Sequence, residues 1–86
     1  MPNRVDNNQR TIVAALRQVG ALVLHLHTLG KGAPDLLVCY HRQLFLIEVK
    51  DARGTLTPDE REFHLRWPVH IVRSVDDAFV VIGCGR

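Results

Sequence analysis

Cysteine is scarce in this chain. Its 86 residues hold two, Cys39 and Cys84, with no CxxC pair and no ligand cluster. That removes a disulfide framework and a cysteine-built zinc site as organising devices. Cys39 lies inside an apolar stretch and reads as a free buried thiol, with a Cys39–Cys84 bridge as the alternative. Long apolar runs are missing as well, so no segment is expected to span a bilayer. The chain is polar from Asn3 through Arg10 apart from Val5, which gives no secretory leader and makes a reducing, cytoplasmic location the expectation. Charge of one sign is also wanting. A net charge of +2 with neutral histidines is mildly basic and unlike a nucleic-acid-binding tail. There is no internal repeat, no low-complexity segment and no Gly-Lys-Ser/Thr phosphate loop.

What is present is a hydrophobic content of 47%, ample for a folded core and too high for disorder. A chain this short makes one small domain, residues 1–86, with modest burial that a partner subunit would supplement. After a loose tail at Met1–Val5, Asp6 can cap a helix from Asn7 to about Val19. Ile12, Val13, Leu16 and Val19 form its buried stripe, with Gln9 at the rim and Gly20 as the stop. Strands follow at Ala21–His27, Asp35–Tyr40 and Gln43–Lys50. Thr57-Pro58-Asp59-Glu60 announces a second helix, with Thr57 as N-cap, Pro58 at the first position and Glu60 closing a capping box. This capping role makes a catalytic one for Glu60 unnecessary. Pro68 ends that helix, Val69–Arg73 read as a strand, and Ser74 caps a last helix. The order is αβββαβα, which implies a central mixed sheet flanked by helices.

Three charged residues stand against the apolar trend of the central strands. Glu48 and Lys50 are two apart and share a strand face, while Phe45, Ile47 and Val49 take the other. Pairing as a hairpin around Tyr40–Gln43 brings Asp35, at the start of one strand, to Glu48 and Lys50 at the end of the next. Two carboxylates and an ammonium group converging at one sheet edge suit phosphodiester hydrolysis. Carboxylates, water and phosphate are the oxygen donors that Mg²⁺ takes, and the lysine can orient or deprotonate a water or offset developing charge. One Mg²⁺ would add two to the net charge of +2, giving about +4 and a chain better able to attract a polyanion. Taken alone, Glu-x-Lys on a strand is an ordinary same-face ion pair. The Pro34-Asp35 step at this spacing gives it chemical meaning.

Other residues carry weaker signals. Lys31, in the Gly-rich loop just before Pro34-Asp35, is either a turn residue or a phosphate contact. Arg4, Arg10, Arg17 and Arg53 are either solvated charges or contacts to a nucleic-acid backbone. His25 and His27, two apart on a strand, have the spacing of zinc ligands but no third ligand in the pattern. They read instead as polar residues facing a groove or a subunit.

Pro34-Asp35, a short gap, then Glu48-Val49-Lys50 resembles the PD-(D/E)xK nuclease signature. Gly30-Lys31-Gly32-Ala33-Pro34-Asp35-Leu36-Leu37-Val38, Leu46-Ile47-Glu48-Val49-Lys50, Leu56 through His64 and Val72 through Ala78 resemble, in that order, the VRR-NUC family of virus-type replication-repair nucleases. The resemblance implies a restriction-endonuclease-like core and a Mg²⁺-dependent DNA endonuclease, with Mn²⁺ as a substitute. Asp35, Glu48 and the Val49 carbonyl would hold the metal, and Lys50 would act on the water. It also implies a homodimer working on branched DNA in the manner of a Holliday-junction resolvase, in replication or repair. In many relatives an acid on the first helix completes the site. Here Gln9 stands at that position, so Gln9 is assigned an assisting role and a leaner metal site is expected. The rival readings are a DNA-binding module that has lost cleavage, a flap- or end-directed nuclease, and a structural protein on a borrowed fold.

Overall fold

A computed structural model describes residues 7–85. The expected tail and the Asp6 cap lie outside the described residues. Helix α1 (Asn7–Gln18) leads into strand β1 (Leu22–His25), a single 3₁₀ turn (His27–Leu29), strands β2 (Leu36–Tyr40) and β3 (Gln43–Val49), helix α2 (Pro58–Arg66), strand β4 (Val69–Val72) and helix α3 (Val75–Ile82). The strands form one sheet in the order β1-β2-β3-β4. The first three are antiparallel, and β4 runs parallel to β3. A parallel neighbour needs a crossover, and α2 supplies it. The αβββαβα order expected from the residues is the order observed.

The β2–β3 turn is tight because His41 and Arg42 both take left-handed backbone angles, φ 50° and 69°. Two consecutive positive φ values match the right-handed twist of the hairpin arms. This turn sets the register that the candidate site depends on, with Tyr40 opposite Gln43 and Leu36 opposite Ile47.

Helices α1 and α3 cover one face of the sheet. Ile12, Leu16, Leu36, Val38, Ile47, Val72 and Ala78 are fully buried there, with Val49 and Ile82 nearly so. Each such Val, Leu or Ile side chain removed from water stabilises the fold by about 1.5–3 kcal/mol before the entropy of ordering the chain is set against it. Arg17 ties α1 to β1 by donating from Nη2 to the Val23 carbonyl at 3.1 Å. Helix α2 lies on the opposite face and has no fully buried residue. Its capping box at Thr57 and Glu60 is formed as expected, as is the Ser74 cap on α3.

Several details differ from the sequence reading. Strand β1 stops at His25, because Leu26 adopts φ −110° and ψ 5° and opens the 3₁₀ turn. His27 therefore leaves the strand, and its ring meets that of His25 edge-on at 6.1 Å. Strand β3 ends at Val49 rather than Lys50, although the Lys50 N–H still bonds the Val72 carbonyl at 3.0 Å. Cys39 is half-buried rather than buried, and both cysteines are free thiols. Among the described residues no helix is long and apolar enough to cross a membrane.

Candidate active site

The hairpin register does what the spacing requires. The Leu26 N–H donates to the Asp35 carbonyl at 2.8 Å, which fixes Asp35 at the mouth of β2. From there its side chain reaches β3, where Oδ2 accepts from the Val49 N–H at 2.8 Å. The N–H and C=O of one strand residue point to the same side, so the Val49 carbonyl also faces the Asp35 side.

Glu48 sits between Asp35 and Lys50 and is only 2% exposed. Its Oε2 lies 3.5 Å from Lys50 Nζ, and its Oε1 is buried without a hydrogen-bond partner among the described residues. Burial, then the negative charges of Asp35 and Glu60, push the Glu48 carboxyl from 4.5 up to about 8, against the pull of Lys50. Burial also raises Asp35, outweighing the Val49 N–H and the Lys50 charge that favour its ionised form. Two carboxyl groups sharing a poorly solvated site cannot both ionise cheaply.

Lys50 is held at every polar atom. Its N–H bonds Val72, and its carbonyl accepts from Asn8 Nδ2 at 2.9 Å. Its ammonium group donates to Glu60 Oε1 at 2.9 Å. Burial disfavours the ammonium, but the hydrogen bond and charge of Glu60 and the charge of Glu48 outweigh it, and the pKa ends above the ordinary lysine value. Glu60 was read from the sequence as a helix cap alone. The structure gives it both tasks, because Oε1 accepts from the Thr57 N–H at 2.9 Å as well as from Lys50. Burial opposes ionisation of Glu60, yet the bonds from Lys50 and Thr57 prevail and lower its pKa.

The loop before Asp35 is fitted to α2. Gly32 has φ +81°, and a Cβ there would collide with the Asp59 carbonyl. Lys31, at φ 57°, borders an apolar cavity of about 320 Å³ that Pro34, Leu46, Phe63 and Trp67 also line. After the site, Arg73 Nη1 clasps the 51–54 loop through the carbonyls of Asp51 at 2.6 Å and Gly54 at 2.8 Å. Arg53 is exposed in that loop and Arg10 is exposed on α1. Gln9 is buried on α1 rather than at a rim, with Nε2 3.4 Å from His25 Nδ1. That contact gives His25 an intramolecular role.

A divalent cation fits this donor set. A buried carboxyl oxygen without a partner, beside a second carboxyl, is costly unless a positive charge neutralises the pair. Among the described residues no group of three or more His, Cys, Asp or Glu side chains is arranged to hold a metal. The protein ligands would thus be the Asp35 and Glu48 carboxylates and the Val49 carbonyl, with water and phosphate completing a hard oxygen shell.

Sheet order, hairpin register and the Asp35–Glu48–Lys50 set together define the class: a PD-(D/E)xK-type nuclease fold. The chain is similar over 90% of its length to 97% of a solved VRR_NUC domain, with 27% sequence identity and a TM-score of 0.65. That likeness supports membership of the VRR-NUC family. No family model matches the chain, and neither does any curated protein.

Proposed function

We propose that this chain is a metal-dependent DNA endonuclease. Asp35, Glu48 and the Val49 carbonyl hold Mg²⁺, for which Mn²⁺ can substitute, and Lys50 acts on the attacking water. The observation that carries the reading is the buried Glu48 carboxyl, one oxygen unpartnered, beside half-buried Asp35 and a lysine fixed at its amide, carbonyl and ammonium. The bound ion would supply charge withdrawal from the phosphate and a more acidic water.

In the hydrolysis a water oxygen attacks phosphorus and that water gives a proton to solvent, while the bond from phosphorus to the sugar oxygen breaks and the departing oxygen takes a proton from solvent. The raised pKa of Lys50 keeps it an ammonium at neutral pH. It is therefore a donor that orients water and offsets charge on the phosphoryl oxygens, rather than a base. Gln9 assists through the α1 side of the site. Lys31, Arg10 and Arg53 supply contacts to the DNA backbone.

The working form is a homodimer on branched DNA. Support comes from the sheet face opposite α1 and α3, where Leu22, Leu24 and Leu44 are 69%, 61% and 68% exposed and Trp67 is 52% exposed. Such a face on so small a protein is an interaction surface rather than ordinary exterior, and a two-fold dimer is the commonest way to cover one. Two sites would then meet two strands of a junction.

The test is cleavage of a labelled four-way junction, a flap and a linear duplex with Mg²⁺ or Mn²⁺, using wild type and Lys50→Ala. Paired symmetric cuts on the junction, lost in the variant, are expected. Cuts on flaps or ends alone would keep the chemistry and replace the substrate. Salt-sensitive binding without cleavage would favour a DNA-binding module, the reading that the glutamine at position 9 invites.

A further inference from the structure

The geometry points to Glu60 as the positioning residue for Lys50, an inference that rests on the nuclease reading. A lysine ammonium is a compact charge on a flexible four-carbon stem with three donors to satisfy. Just past the end of β3, Lys50 has two carboxylate neighbours. Glu48 is the more distant, at 3.5 Å, and is also a proposed metal ligand. A cation on Glu48 would weaken its hold on Lys50 and repel the ammonium. Glu60, at 2.9 Å, is the nearer contact and is not a proposed metal ligand.

Glu60 suits this task because it is itself immobilised. The oxygen that accepts from Lys50 also accepts from the Thr57 N–H, and the Thr57 hydroxyl accepts from the Glu60 N–H at 3.2 Å. The capping box thus holds Glu60 by its carboxylate and by its backbone N–H. Gly32, packed on the Asp59 carbonyl, sets the first turn of α2 against the loop that carries Asp35. One helix start therefore aligns the lysine with the carboxylates.

Three variants separate positioning from capping. Thr57→Ala removes half of the cap and leaves the Glu60 carboxylate. Glu60→Gln keeps an oxygen that can serve both bonds, since glutamine also closes a capping box. Glu60→Ala removes both. The readouts are Tm, kcat and KM on the substrate that wild type cuts, Mn²⁺ affinity by titration, and the Lys50 ammonium resonance by ¹⁵N NMR of the metal-free protein.

Thr57→Ala and Glu60→Ala should both lower Tm. Only Glu60→Ala should lower kcat, by about 10- to 100-fold, with KM and Mn²⁺ affinity within about three-fold of wild type and the protected ammonium signal lost. Glu60→Gln should restore kcat to within about five-fold of wild type and keep the signal. Unchanged kcat or a persistent signal in Glu60→Ala overturns the proposal. So does an equal loss of kcat in Thr57→Ala, or a Glu60→Gln that behaves like Glu60→Ala. Weakened Mn²⁺ binding in Glu60→Ala would make Glu60 a ligand instead. A wild type that cuts nothing with either metal overturns the nuclease reading and this one with it. Cleavage that survives in Glu60→Ala overturns this one alone.

Discussion

Glu48 should make the metal-free protein lose stability as pH rises, the reverse of what a glutamate with a lowered pKa does. Its carboxyl titrates near 8 in the fold against an ordinary 4.5. The folded state thus holds a proton that the unfolded chain has released. This contribution is fully present below about pH 4.5 and is lost as pH climbs through 8. At about 1.36 kcal/mol per pKa unit the full rise sets a ceiling of about 5 kcal/mol, and between pH 5 and 9 the loss should be about 2–4 kcal/mol. For a domain this small that is on the order of 10 °C in Tm, a large part of a total stability of roughly 5–15 kcal/mol. Thermal unfolding in the presence of a chelator, followed by circular dichroism from pH 5 to 9, measures it. Glu48→Gln, neutral at every pH, should flatten the profile and unfold later than wild type at pH 8. Added Mg²⁺ should stabilise wild type far more at pH 8 than at pH 5, because it binds the ionised pair. A Tm that stays level or rises with pH in the metal-free wild type would refute the reasoning.

Three further outcomes follow from the same contacts. Asp35→Asn keeps an acceptor for the Val49 N–H but removes the charge that helps raise Glu48. Metal-free Tm at pH 8 should rise by a few degrees while Mg²⁺ stabilisation disappears, and cleavage should fall by about 10²–10³-fold in a gel assay. Gly32→Ala forces a Cβ into the Asp59 carbonyl at a left-handed backbone position; it should cost about 1–3 kcal/mol, read from urea unfolding. Leu24→Lys on the outer face should turn a dimer into a monomer by light scattering without lowering Tm by more than a few degrees, because Leu24 is 61% exposed within one chain.

Much of the site was legible because its logic is local. Strand alternation put Glu48 and Lys50 on one face, and the turn at His41–Arg42 set the register that returns Asp35 to them. The caps at Thr57 and Ser74 were written in four consecutive residues each. What escaped depends on how elements approach one another. The cap explains Glu60, and no pattern along the chain shows that the same oxygen meets Lys50 ten residues earlier. The near-continuous apolar runs Leu22–Leu24 and Leu44–Ile47 suit strands covered on both sides, yet this sheet is helix-covered over its whole length on one side only. The sequence pattern carries strand β1 two residues too far at its C-terminal end because alternation persists through His27, although the backbone at Leu26 has already turned. The clasp of Arg73 on the 51–54 loop joins positions about twenty apart and left no trace in spacing.

The bonds that Asn8 makes have a consequence for timing. Its amide donates to carbonyls 42 and 65 positions downstream, those of Lys50 and Arg73, and the Lys50 N–H waits for Val72 on β4. A ribosome that has released the hairpin but not β4 displays Asp35, Glu48 and Lys50 with the lysine backbone still untied. The backbone that carries Lys50 is therefore tied down only once β4 has joined the sheet.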